Sequence, residues 1–303
     1  MCDLLCARPA ATGGVTLFAK NSDRPPGERQ VLEWLPPRHD RDATRATHIA
    51  IDPHPEITAG VIGSRPAWGW GLEHGVNVHG VAAGNATIYT TLDPRDRPDA
   101  LTGMDLVRLA LERAATAATA AEVITSLLDR VGQGGSGHEG HRRPYWSSFL
   151  IADPTSAFVI ETSGNEHAIE PVERVRAISN RTTIPSFDAT HRHPGQPVET
   201  LVDPRWDASR RVLAREPVTV EALQAHLASH DGGDGGWTVC MHVDTADHQE
   251  ATTAALVAEL PVGGPPIAHV TTGSPCTSRW FDIPVAPPTD GTWLANDGPP
   301  NER

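Results

Sequence analysis

Short apolar runs closed off by Gly, Pro and Asp clusters recur along the first third of the chain, at residues 15–20, 48–51, 61–63 and 81–85, and each predicts a strand of an antiparallel system. Two further runs, 148–153 and 157–162, flank Asp153-Pro154-Thr155-Ser156. This is hairpin chemistry, because Pro presets φ and Asp bonds its own turn. Residues 168–172 and 175–179 extend that meander.

Between these β-rich blocks the period changes. Leu106, Leu109, Ala110, Val123, Ile124, Leu127 and Leu128 recur at helical spacing, interrupted by an Ala/Thr stretch, and predict two amphipathic helices packed on a sheet. A further helix is predicted over 219–229, with Thr219 as its N-cap and Leu223 and Leu227 on one face. Late strands are expected at 237–242 and 267–272. The glycine-rich stretch from Gly132 and the Pro/Gly/Asp-rich tail after Pro284 read as mobile segments. Strands, then helices, then strands, without βαβ alternation, predict an α+β architecture.

A length of 303 residues allows one large domain or two modest ones, and 39% hydrophobic residues suffice for a substantial core. The formal charge of −13 argues against nucleic acid or an anionic membrane as partner. No apolar run approaches the roughly 20 residues of a membrane helix, and the first residues lack the layout of a secretion signal, so a cytoplasmic location is expected. Cys2, Cys6, Cys240 and Cys276 are too widely spaced for a disulfide framework or a metal knuckle.

Cys2 follows the initiator Met, and its small side chain permits removal of Met1, which would place an amine and a thiol on one residue. With reference pKa values of about 7.7–8.0 and 8.5, the two groups exchange a proton at little cost near neutral pH. Lys20 is the sole lysine among 25 basic residues and ends a strand in the run Lys20-Asn21-Ser22-Asp23-Arg24. A compact ammonium there suits a thiolate, and Asp23 suits the α-amine as acceptor. Asn85 and Asn180 close β runs, where an amide N–H can face a developing oxyanion, although asparagine is equally a turn residue.

The histidine pairs His138/His141, His191/His193 and His242/His248 lack the HExxH spacing, so no metal is expected. P-loop and GxSxG motifs are absent. Trp68 and Trp70 fit a pocket wall and a packed turn equally well.

Together these segments resemble the secernins and the related C69 dipeptidases of the N-terminal-nucleophile (Ntn) hydrolases. The likeness is carried by Cys2-Asp3 with Pro9-Ala10-Ala11-Thr12, by AKNSDRP from Ala19, SRPAWGWG from Ser64, GVNVHGV from Gly75, GMDLVRLALER from Gly103, GQGG from Gly132, SFLIADP from Ser148, ETSG from Glu161 and ISN from Ile178. CMH at Cys240 and TTGSPCTSRW from Thr271 resemble the family's closing strands.

The resemblance implies a four-layer αββα sandwich of two antiparallel sheets, read as one domain over 1–285 with a tail over 286–303. It implies a catalytic set of Cys2, Lys20, Asp23, Asn85 and Asn180, with Arg210 as a later arginine. It also implies hydrolysis of a small-molecule amide or dipeptide through a Cys2 thioester, without a cofactor. The competing expectation is a non-enzymatic regulatory or scaffold protein that has inherited the pocket.

Overall fold

The computed structural model describes residues 1–39 and 44–287. Residues 288–303 of the expected tail lie outside the described residues. The chain opens with β1 (Cys2–Ala7), the one-turn helix α1 (Pro9–Thr12), β2 (Thr16–Arg24) and β3 (Gln30–Leu35). A ribbon of β4 (Thr44–Arg45) and β5 (Ala50–Ile51) precedes β6 (Val61–Pro66), β7 (His74–Asn77) and β8 (Ala82–Ile88). Helices α2 (Gly103–Arg113) and α3 (Ala117–Arg130) lead into β9 (Trp146–Ala152), β10 (Ala157–Ser163), β11 (Glu166–Pro171) and β12 (Val175–Ile178). Then come α4 (Pro185–His191), α5 (Val198–Leu201), α6 (Asp203–Leu213) and α7 (Val220–Leu227), followed by β13 (His242–Asp244), β14 (Gln249–Leu260), β15 (Ile267–Thr271) and β16 (Phe281–Pro284).

Two antiparallel sheets result. One runs β12-β1-β2-β14-β15-β16, with β13 on the end of β14; the other runs β11-β10-β9-β8-β7-β6-β3. Three apolar clusters separate four layers. Leu4, Cys6, Phe18, Ile62, Val76, Leu150, Leu256 and Val270 meet between the sheets. Leu106, Leu109, Ile124 and Leu128 of α2 and α3 pack on Val61, Ala83, Phe149 and Ile151 of the second sheet. Leu213, Leu223 and Leu227 of α6 and α7 pack on Leu5, Leu17, Ala19 and Val257 of the first. The expected αββα sandwich is thus present.

Strand alternation explains the sorting. In β1, Leu4 and Cys6 face the second sheet while Leu5 and Ala7 face the helices; in β2, Phe18 and Ala19 divide in the same way. The helix starts follow the side-chain chemistry: Thr102 and Asp105 form a capping box at α2, and Thr116 and Thr219 accept from the backbone N–H of Thr119 and Ala222.

Several elements differ from expectation. The run at 237–242 forms a loop, and only His242–Asp244 pairs as a strand. Helices α4, α5 and α6 occupy a region that carried no prediction. The twelve-residue β14, central in its sheet, also carried none, because QEATTAALVAEL has no period-2 alternation when both of its faces are covered.

Candidate active site

At one end of the sandwich, β1 and β2 pair in the register Cys2↔Ser22 and Leu4↔Lys20, which places Cys2, Lys20 and Ser22 on the inter-sheet face. A cavity of about 470 Å³ opens there, and Cys2, Asp23, Glu73, Asn85 and Asn180 are among its lining residues. Its outer wall comes from the glycine-rich stretch, through His138, Arg142, Arg143 and Pro144, and from Thr90, Thr91, Asp93 and Arg95. Five of the six residues expected from sequence therefore gather at this end; Lys20 lies behind the wall.

Lys20 is fully buried, and its ammonium donates to Ser22 Oγ at 2.7 Å and to Glu73 Oε2 at 3.2 Å. Ser22 Oγ lies 3.0 Å from His74 Nδ1. Burial opposes a charge on Glu73, yet Lys20 and Arg24 together hold its carboxyl below the usual value. Burial also pushes the Cys2 thiol above its ordinary value, and the Lys20 ammonium is the strongest pull the other way. Burial therefore favours the protonated thiol at Cys2.

Met1 lines the same cavity as Cys2. Its buried amine pairs with Glu250 and donates to the Asp23 carbonyl at 3.2 Å, and its carbonyl accepts from the Asp23 N–H at 2.9 Å. Burial draws the amine below its ordinary pKa, against the attraction of Asp23. The Cys2 peptide N–H donates to Asn180 Oδ1 at 2.9 Å. Asp23 Oδ1 accepts from Thr252 Oγ1 at 2.6 Å, whereas its buried Oδ2 has no hydrogen-bond partner among the described residues. Burial raises the Asp23 carboxyl to about 6.

Asn180 Nδ2 donates to the Thr87 carbonyl at 2.9 Å, and Asn85 Nδ2 reaches Ser147 Oγ at 3.4 Å. Each amide keeps a second N–H. Behind Asn180 stands a group that sequence reasoning missed. Arg205, fully buried on α6, donates to Asp3 Oδ2 at 2.5 Å and to Asn180 Oδ1 at 3.1 Å, while Ser179 Oγ donates to Asp3 Oδ1 at 2.7 Å.

Arg210 is corrected by the structure. It sits on the outer face of α6 with its side chain 61% exposed, pairs with Asp207 and lies over the Trp206 ring, away from the cavity. The two readings of the tryptophans also resolve: Trp68 donates to Glu28, Trp70 stacks with Arg108 at 4.0 Å, and neither lines the cavity.

His74 supplies a test of this buried network. Burial and the neighbouring Lys20 push it down to about 3, against about 6.5 for an unfolded histidine. Its depressed value means that its contribution to stability is complete above pH ~6.5 and is lost as pH falls from there towards 3, at about 1.4 kcal/mol per pH unit. Urea unfolding of the parent and His74→Asn between pH 7 and pH 4.5 should show that the variant's stability falls less steeply by about one proton. Parallel profiles would place the imidazole in contact with water.

No family model matches this chain. Solved structures do resemble it. Conjugated bile acid hydrolase from Clostridium perfringens, as its C2A mutant, superposes with a TM-score of 0.59 at 13% identity, covering 94% of this chain and 92% of that one. Penicillin V acylase from Agrobacterium tumefaciens gives 0.57 at 12% identity, covering 93% and 86%. At these identities the likeness is one of fold alone, the sandwich of two antiparallel sheets described above. No helix among the described residues is long and apolar enough to cross a membrane.

Proposed function

We propose that this protein is an amide hydrolase that acts through the thiol of Cys2 once Met1 has been removed. The observation that carries the reading is a pair of acceptors at the amino terminus of β1: one bonded to the Cys2 nitrogen, the other on Asp23, whose backbone bonds Met1. Asn180 Oδ1 already takes the Cys2 N–H at 2.9 Å, and the Asp23 carboxylate keeps a buried oxygen without a hydrogen-bond partner among the described residues. A peptide nitrogen has one hydrogen to offer these groups. An α-amine has two and a lone pair besides, and it would satisfy both acceptors while taking the thiol proton.

In this scheme the Cys2 sulfur attacks the substrate carbonyl as its proton passes to the α-amine. Second N–H groups of Asn85 and Asn180 face the oxyanion, and the amine returns the proton to the leaving nitrogen. Water then hydrolyses the thioester. Dipeptides are the proposed substrate class. The secernin and C69 resemblance supports this, and so does the exposed Arg143 on the cavity wall, whose guanidinium has no ion-pair partner among the described residues and suits a free carboxylate.

The test is intact-protein mass spectrometry with peptide mapping after a brief exposure to a thiol electrophile, followed by a screen of dipeptides and N-acyl amines. Loss of Met1, together with an adduct on Cys2 that forms several-fold faster than on Cys6, is the expected outcome. Labelling of Cys2 no faster than of Cys6 would favour the scaffold reading instead.

A further inference from the structure

Away from the cavity, His230, Cys240, His242 and Cys276 bring two thiols and two imidazoles together, with one ligand atom of each within 4.8 Å of all the others. His242 Nε2 lies 3.4 Å from Cys240 Sγ and 3.2 Å from Cys276 Sγ. Zinc bonds of about 2.3 Å to sulfur and 2.0–2.1 Å to nitrogen, arranged tetrahedrally, place S and N ligands roughly 3.5 Å apart. The observed separations are close to the edges of that tetrahedron. All four cysteines of the chain are free thiols.

We propose that these four side chains form a structural Zn²⁺ site. The donor set selects the ion: two thiolates and two imidazoles, with no carboxylate, suit zinc and disfavour the hard cations magnesium and calcium. Four protein ligands leave no open position, so the site braces the fold and performs no chemistry.

The frame around the ligands is already fixed. Cys240 N–H donates to the Ser229 carbonyl at 2.8 Å and Thr238 Oγ1 to the Cys240 carbonyl at 2.6 Å. Ser274 Oγ donates to the Thr252 carbonyl at 2.8 Å, tying the Cys276 loop to β14. Zinc would lock the loop between α7 and β13 onto the loop between β15 and β16. Both loops meet Thr252: Met241 N–H donates to its Oγ1 at 2.8 Å, and that hydroxyl donates to Asp23. The ion therefore steadies the strand end that carries Asp23. This assignment stands independently of the hydrolase reading.

The experiment uses the full chain, expressed with zinc in the medium and freed of loose metal. Elemental analysis should find about one zinc per chain, and exchange with Co²⁺ should give the visible absorption of a tetrahedral thiolate site. Cys276→Ser and His230→Ala alter partly or fully exposed side chains, and both should fold yet lose most of the bound metal. A chelator should lower the melting temperature of the parent and leave that of the variants unmoved. The proposal is overturned by reduced protein that takes up neither zinc nor cobalt. It is equally overturned by a Cys240–Cys276 disulfide in a non-reducing peptide map, or by stoichiometric zinc that persists in both variants.

Discussion

A chain that keeps Met1 is expected to acylate at least about 1,000-fold more slowly than one beginning at Cys2, within the range over which a positioned acid–base group contributes. In the Met1 form the nitrogen of Cys2 is an amide with no basic lone pair, the Met1 residue lines the cavity, and burial holds the thiol protonated. Two matched proteins test this, one released by a protease to begin at Cys2 and one carrying a short uncleavable extension before Met1. The burst of p-nitrophenol from an activated acetate ester reports acylation whatever the natural substrate is. Equal bursts would remove the α-amine from the mechanism.

Arg205→Leu is expected to destabilise the protein by about 3–5 kcal/mol, because it strands the buried Asp3 carboxylate that the guanidinium pairs. Both side chains are fully buried, so no water replaces the lost partner. Arg210→Ala, at an exposed pair, should stay within about 0.5 kcal/mol of the parent. Urea unfolding of the two variants checks both values. Equal effects would mean that the α6 arginines are not divided between core and surface as described. Arg205 also orders Asn180 through Oδ1, so a milder Arg205→Lys should slow acylation even where the protein remains folded.

The contrast between Arg205 and Arg210 shows where sequence reasoning reaches its limit. Cys2, Lys20 and Asp23 lie on two consecutive paired strands, so their proximity follows from local spacing and alternation, and it was legible. Asn180 was legible as the end of an apolar run. Which arginine of DPRWDASRR turns inward depends on how α6 settles on β1 and β12, which no local pattern encodes. The same holds for β14, whose Ala/Leu/Glu composition has helical propensity and whose strand state is imposed by β2 and β15 on either side. The Cys/His cluster is the extreme case. Its four side chains come from three separate segments, and only Cys240 and His242 are close in sequence, so no short-range spacing signals that the fold brings them together.

The pairing of the Met1 amine also bears on when Met1 would be removed in the proposed scheme. With its amine held by Glu250 and by the Asp23 carbonyl, the first residue of the folded chain is a poor substrate for a processing aminopeptidase, and the proposed scheme therefore requires excision on the nascent polypeptide. β1 cannot insert until β12 has left the ribosome, and its neighbour β2 lacks a second partner until β14 has followed. At 5–20 residues per second the amino terminus stays free for on the order of ten to fifty seconds. Methionine aminopeptidase should therefore trim the unfolded chain but not a refolded Met1 form, a difference that intact mass reads directly. In the proposed scheme topology thus sets a deadline: a molecule that misses the trimming step folds with its own first residue lining the cavity.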